Sequence, residues 1–483
     1  MLPSGWPSTD KAPWAVRFGV VRSFPLFGVA ALLSVNAAVL IAPAVAVSAA
    51  REPEMRVLLL EGQRLTLRAD GSLPMQVRGI PGGIRALKRL ELRLGSGGLN
   101  VLMDGARTRL AVGTALEVEN DDPRGIWLGQ RRYRGALQIS SRGGQLRVVN
   151  QLGIETYLAS VVGSEMPHQW PLAALQAQAV AARTYALRQK GRGGGWDVKA
   201  TVASQVYRGV ESETASTREA VNSTRALVLV HGGRLIDAVF HSSSGGRTEA
   251  SGMVWRQQLP YLVSVPDHDQ HSPVHSWQKR FDAETLRKRL PETGGLEDVS
   301  VLTRSASGRV RQARIQGPRG SLVMSGRELR RRLGLKSTLV QFELVSGQIP
   351  SRPSLHTRLQ PLPAIQVSTP ASSGTRSRID RITASVAAVP PPSDHVLRLP
   401  VSTVRPHGSQ TLPEDGVKLL VRGQGFGHGV GMSQWGAHGL AQQGADFRTI
   451  LRHYYKGADV VPFRSYFDPS LARPLSPAPL WRG

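Results

Sequence analysis

Residues 164–187 read Ser164-Glu-Met-Pro-His-Gln-Trp-Pro-Leu-Ala-Ala-Leu-Gln-Ala-Gln-Ala-Val-Ala-Ala-Arg-Thr-Tyr-Ala-Leu187. Pro171 suits the first position of a helix, where a missing N–H costs nothing. The residues after it are dense in Ala, Leu and Gln, among the strongest helix formers. Leu172, Leu175, Ala179, Ala182 and Ala186 recur at three- and four-residue spacing, which predicts a helix with one narrow face of small residues. Glu165 is expected just outside that helix, between it and a strand-like stretch. Pro167 and Pro171 stiffen its segment, and Met166 and Trp170 roof it. A rigid, partly apolar mount for one carboxyl group suits a general acid, since desolvation raises its pKa. The plainer alternative is an acid placed at a helix N-terminus by the dipole, which would work against a raised pKa.

The run Glu-Met-Pro-x-x-Trp-Pro-x-x-Ala-Leu-x-Ala-Gln-Ala-Val-Ala-Ala-Arg-Thr-Tyr-Ala, starting at Glu165, resembles the signature of the stage II sporulation protein D and amidase enhancer (SpoIID/LytB) family. A second stretch, Arg422-Gly-Gln-Gly-Phe-Gly-His-Gly-Val-Gly-Met-Ser-Gln-Trp-Gly436, resembles the other long motif of that family. The resemblance runs from about Met55 to Asp459, with one interruption. It implies action on bacterial peptidoglycan, with Glu165 as the catalytic acid.

Outward from these motifs, the chain of 483 residues has room for two or three domains. With 41% hydrophobic and 20% charged residues it can build a core. The absence of cysteine excludes disulfides and thiolate metal sites. Arg17 and Arg22 precede an apolar stretch from Phe24 to about Val47, followed by Ser48-Ala-Ala-Arg51, which reads as a signal peptide over residues 1–50. The stretch is also long enough to span a bilayer, so an uncleaved membrane anchor is the alternative. Either way the expected location is outside the cytoplasm, in the periplasm or cell wall, with membrane contact only through this segment.

The net charge of +26 concerns partners and not fold. The basic residues are mostly dispersed arginines without interleaved aromatics, and the densest stretch, Arg327 to Arg332, reads as the solvated face of a short helix. Given the export signal, anionic wall polymers such as peptidoglycan glycan strands, or membrane surfaces, are expected as partners, with a cell-wall amidase as a further one, and nucleic acid is not.

The expected fold is α+β. Short Val- and Leu-rich runs separated by Gly and Asp turns make residues 55–149 a β-rich region. Residues 150–345 form the family-like catalytic core, with Ile154–Val162 read as a short helix or mixed segment. That core also holds a helix around Glu213 to Thr224 and a strand pair turning at Gly232-Gly233. Residues 346–416 are rich in Pro, Ser, Thr and Arg and read as a disordered insertion. Strand-like Val340–Val345 and Val417–Val421 flank it, so it reads as an excursion within one domain. Residues 417–462 complete the core and 463–483 form a loose tail.

The Gly-rich motif fits no dinucleotide loop and no nucleophile elbow. It is either a tight core turn or a groove wall. In the second reading His428, Ser433 and Gln434 offer hydrogen bonds to sugar hydroxyl and acetamido groups, and Trp435 stacks on a sugar face. Arg183, in the fourth turn of the predicted helix and roughly 18 Å along it, is read as holding another loop or the substrate and not Glu165. The resemblance further implies that Tyr207, in Gln205-Val-Tyr-Arg-Gly209, and His241 and Ser244, in Phe240-His-Ser-Ser-Ser-Gly-Gly246, stand beside the groove. Some relatives carry a His/Cys zinc site near His241. Without cysteine none is completed here, and no metal or cofactor is expected. The cluster Asp267-His-Asp-Gln-His271 reads as a polar loop.

Glycosidases that use water pair two carboxylates. Glu155, Asp267 and Asp269 are the candidates for a second, and none sits in a motif comparable to that of Glu165. The expected activity is therefore a lytic transglycosylase with one acid. A wall-bound enhancer of an amidase and a cationic wall-polymer or nucleic-acid binder are the alternatives.

Overall fold

A computed structural model describes residues 52–71, 73–345 and 417–463. The expected signal peptide or anchor, the expected disordered insertion and the expected loose tail from 464 onward lie outside these residues. The architecture is α+β, as the sequence predicts. Between Glu54 and Gly153 the described chain forms twelve strands arranged in two sheets. The first centres on Glu54–Gly62 and Gln145–Gly153, paired antiparallel. The second centres on Arg64–Arg68 and Arg89–Gly95. Alternation explains both: Leu65, Leu67, Leu90 and Leu92 are buried, while Thr66 and Glu91 between them and the flanking arginines are more exposed. The buried rows of the two sheets share one hydrophobic core with the helices that follow.

The helices are α1 (Ile154–Glu165), α2 (Leu172–Gln189), α3 (Ala215–Ser223), α4 (Ser251–Val254), α5 (Ala283–Arg289), α6 (Gly326–Leu333), α7 (Gln434–Gln442) and α8 (Phe447–Tyr454). Two expectations are corrected at the outset. Glu165 does not follow a strand-like stretch: Ile154 to Glu165 is continuous helix, and Glu165 is its last residue. Pro171 is the residue before the first turn of α2, with extended backbone (ψ 139°), and the helix begins at Leu172.

Helix α2 is also buried more widely than one narrow face. Twelve of its residues, from Ala174 to Leu187, are inaccessible, and it packs against α1, α3, α7, α8 and the strand Leu227–His231. Alanine makes this possible, because its small side chain lets neighbouring backbones approach. Two of the buried polar residues inside α2, Thr184 and Arg183, are matched by hydrogen bonds. The Thr184 hydroxyl donates to the Val180 carbonyl (2.7 Å) and accepts from the Leu229 N–H (2.9 Å). Arg183, fully buried, pairs bidentately with Glu155 of α1 at 2.9 and 2.7 Å.

A second core gathers Phe281, Leu286, Ile315, Leu329, Val340, Leu419 and Val421. It underlies α5, α6 and a three-stranded sheet in which Val417–Gln424 lies between Ser276–Asp282 and Val340–Leu344. Helix α6 has the predicted solvated basic face: Leu329 and Leu333 are buried, and Arg331 and Arg332 pair with Glu328. Leu344 is directly opposite Leu419, so the chain leaves and re-enters this sheet on neighbouring strands. Among the described residues no helix is long and apolar enough to cross a membrane.

The Arg183–Glu155 pair generates a stability prediction. Replacing Arg183 by Met buries Glu155 without its guanidinium and should cost about 3–5 kcal/mol. The double variant Arg183→Met with Glu155→Leu should recover a large part of that loss. Urea unfolding of the three proteins checks both statements. Equal stability of Arg183→Met and the wild type would remove the pair from the account.

Candidate active site

Glu165 projects from the C-terminal end of α1 and is only partly buried. One carboxylate oxygen accepts the backbone N–H of Val206 (2.7 Å), and the other accepts Nε2–H of Gln434 (3.3 Å). Burial pushes its pKa above the ordinary 4.5, against those two hydrogen bonds and the charge of Arg208, all of which favour the carboxylate. The end of α1 adds to the upward push, since the C-terminal pole of a helix disfavours negative charge. The expected conflict between an N-terminal dipole and a raised pKa therefore does not arise. Buried Met166 closes one side of the mount, and the Trp170 ring stands edge-on to Trp435, with centroids 4.7 Å apart.

Gln434 reaches the acid because the Gly-rich motif is threaded through the core just before it. Phe240 and His241 pair in parallel with Met432 and Ser433. Gly431 is left-handed (φ 72°), and a Cβ there would stand 2.1 Å from the Val239 carbonyl oxygen. Gly427 (φ 123°) is similarly constrained, since a Cβ there would stand 2.7 Å from the His241 Cβ. Ser433 then caps α7 by accepting the Gly436 N–H (3.1 Å). Gln434 and Trp435 occupy the first turn of that helix. The motif is thus a core turn over Val430–Ser433 and a site wall at Gln434 and Trp435.

Of the nine residues expected at the site, the structure gathers Glu165, Gln434 and Trp435. Five others are corrected to core positions. Arg183 serves Glu155 and the carbonyls of Leu227 and Val221. Tyr207 packs on Tyr133 and Tyr157 and donates to Asn150 (2.8 Å). The Ser244 hydroxyl donates to Asp267, and Ser433 is the α7 cap. His241 is buried, with Nδ1 3.1 Å from the Val430 carbonyl. His428 is half-buried between His241 and Trp255. Its Nδ1 accepts the Val430 N–H (3.0 Å), and burial pulls its pKa down to about 4.

The segment around Tyr207 does reach the acid, through different residues from the one expected. In this extended stretch Gln205 and Tyr207 face inward. Gln205 accepts from Tyr157 (3.0 Å) and donates to the Ala182 carbonyl (3.2 Å). Alternation leaves Val206 to offer its N–H to Glu165 and turns Arg208 outward beside it. Neither residue stands in a motif that marks it in the sequence, although period-two alternation about Tyr207 was the available signal. His438, one helical turn beyond Gln434, was likewise not expected at the site, and its ring lies 4.7 Å from Trp170 and 5.4 Å from Trp435.

The candidate second carboxylates are engaged elsewhere. Glu155 is bound to Arg183. Asp269, fully buried, accepts from Ser243 (2.5 Å), the N–H groups of Gly245 and Gly246 (2.7 and 2.9 Å) and His275 (3.2 Å). Asp267 accepts from Ser244, Tyr454 (2.5 Å) and the His268 N–H (2.9 Å). The Asp267–His271 segment is the polar loop expected, and its acids hold the 243–246 turn in place. The donor set does not fit zinc. His428 uses its ring nitrogens on the Val430 N–H and the Phe240 backbone, and no group of three metal-ligating side chains occurs among the described residues.

Residues 142–231 match the family described as SpoIID, Stage II sporulation protein, a span that holds α1, Glu165 and α2. An amidase enhancer of Bacillus subtilis is 31% identical over 307 residues, 63% of this chain and 40% of the relative. The chain thus spans well under half of that relative's length. An uncharacterised protein of Brachyspira hyodysenteriae is 28% identical over 70% of this chain and 75% of its own. Stage II sporulation protein D of Bacillus amyloliquefaciens is 26% identical over 67% of this chain and 79% of its own. Residues 142–231 thus carry the SpoIID family match, and the chain is similar to stage II sporulation protein D and amidase enhancer proteins.

Proposed function

We propose that this protein is a lytic transglycosylase that cleaves peptidoglycan glycan strands outside the cytoplasm with Glu165 as its single acid and base. The observation that carries the reading is a half-buried glutamate whose carboxyl pKa is raised by burial, while the acids that could have partnered it are held by other groups. Protonated Glu165 donates to the glycosidic oxygen between N-acetylmuramic acid and N-acetylglucosamine as the C1–O bond breaks. The carboxylate so formed takes the proton of the muramoyl C6 hydroxyl, whose oxygen closes on C1. A 1,6-anhydro ring results, the acid is restored, and no water needs activation. Gln434 orients the carboxylate, Trp435 offers a face to a sugar, and the positive charge of the chain favours an anionic wall polymer. A second reading, a wall-bound enhancer of an amidase, is favoured by the relative of that name. It assigns no chemistry to Glu165.

Glycan strands with and without stem peptides, incubated with the wild type and with Glu165→Gln, separate the two. Mass spectrometry should find anhydro-muramoyl ends with the wild type and a loss of about 10²–10⁴-fold in the variant. Equal yields from both proteins, or none from either, would sink the transglycosylase reading. Stimulation of an added amidase by both proteins would support the second.

The raised pKa sets the pH dependence. The acid must be protonated to act, so activity is present below the folded-state pKa and falls as pH rises through it, with a limb above 4.5. Gln434→Leu removes a hydrogen bond to the carboxylate and should move that limb to still higher pH. Because the folded state holds the proton more tightly than the unfolded chain, stability should fall across the same window. Glu165→Gln should accordingly gain in Tm on the wild type at pH 8 relative to pH 4. An unmoved limb in Gln434→Leu, or a pH-independent Tm difference, contradicts this assignment.

A further inference from the structure

Three aromatic side chains meet beside Glu165. Trp170 comes from the turn after α1, and Trp435 and His438 come from one side of α7, with pairwise ring centroids 4.7 to 5.4 Å apart. His438 is four residues beyond Gln434, which places their Cβ atoms about 5–6 Å apart on one helix face. The imidazole therefore stands one helical turn from the side chain that grips the acid. The backbone N–H of Trp435 donates to the Ser242 carbonyl (3.0 Å), which helps fix the start of the helix.

His438 is unusual in its hydrogen bonding. Its Nδ1 is buried and has no partner in the protein. A proton on that nitrogen would be a buried donor without an acceptor, so the favoured tautomer carries its proton on Nε2. Burial and nearby His271 both push the pKa of the ring down and keep it neutral. The ring is only partly covered. The result is an uncharged N–H donor set against two mutually contacting indoles, one helical turn from the residue that holds the candidate acid.

We infer that Trp170, Trp435 and His438 form a subsite for the acetamido group of an N-acetylated sugar, with His438 as the specificity-determining residue. The acetamido methyl packs on the indoles, and its carbonyl oxygen accepts the Nε2–H. A C2 hydroxyl supplies no methyl and does not reach the donor. The inference rests on the proposed function only for the role of the neighbouring acid, since it concerns binding and requires no turnover.

Titration of the full chain with chitotetraose and with cellotetraose, both uncharged, tests it by calorimetry and tryptophan fluorescence. The wild type should prefer chitotetraose by about tenfold, the worth of one hydrogen bond and a methyl contact. His438→Phe keeps a ring but no donor and should lose most of that preference while binding cellotetraose within about twofold of the wild type. His438→Gln restores an N–H and should recover part of it. No binding of either sugar by the wild type, an unchanged preference in His438→Phe, or equal weakening for both sugars would overturn the subsite. Intact glycan strands alongside a preserved preference would instead overturn the transglycosylase reading and leave the subsite standing.

Discussion

The arrangement depends on one buried guanidinium. Arg183 meets Glu155 in the first turn of α1 through two parallel hydrogen bonds, and spends its remaining donors on the carbonyls of Val221, at the end of α3, and Leu227, at the start of the next strand. A planar fork with fixed donor directions specifies angles as well as distances. Three elements are thereby set around α2, and the alanines of α2 let them come close enough to be set. The cost of desolvating an ion pair of this kind rules it out as a simple source of stability. Its contribution is orientation: α1 is held at the end opposite to Glu165, and the direction of the helix axis decides where the carboxyl group emerges.

The same division between holding and reaching recurs across the motifs. In Phe240–Gly246, Ser243 and Ser244 face inward and donate to the buried acids Asp269 and Asp267, and Arg309 holds the Ser244 carbonyl, while in the Gly-rich run Ser433 is buried as a helix cap. Groups that face the candidate site come from a backbone N–H at Val206 and from the first turns of α7. A motif dense in Ser, His and Gly can thus consist largely of the supports for one or two exposed groups.

This explains what could be read from the sequence. The α+β class, helix α2, the basic helix α6 and the strand pair at Gly232-Gly233 follow local rules of propensity and period, and the chain shows them without its tertiary structure. Glu165 was legible as the acid candidate because prolines and aromatics surround it in sequence. The inward direction of Tyr207 and Ser244 was not legible, because a hydroxyl in a turn has the same local signature whether its acceptor is a sugar or an aspartate 23 residues away. The helical state of Gly163 to Glu165 was hidden for a related reason. Val161, Val162 and the glycine after them favour a strand ending locally, and packing of α1 against α2 and α3 overrides that preference.

The strand Gln145–Gly153 passes into α1 at Ile154 with no residue between them. Glu165 therefore ends a continuous strut rooted in the seven-stranded sheet, without a hinge along its length. Such an acid has little freedom to swing toward a bond that is out of place. In the proposed reaction the glycan has to be bent or rolled until its linkage reaches the carboxyl group, so the energy for alignment comes from binding of sugars beside the cleaved bond and not from motion of the protein.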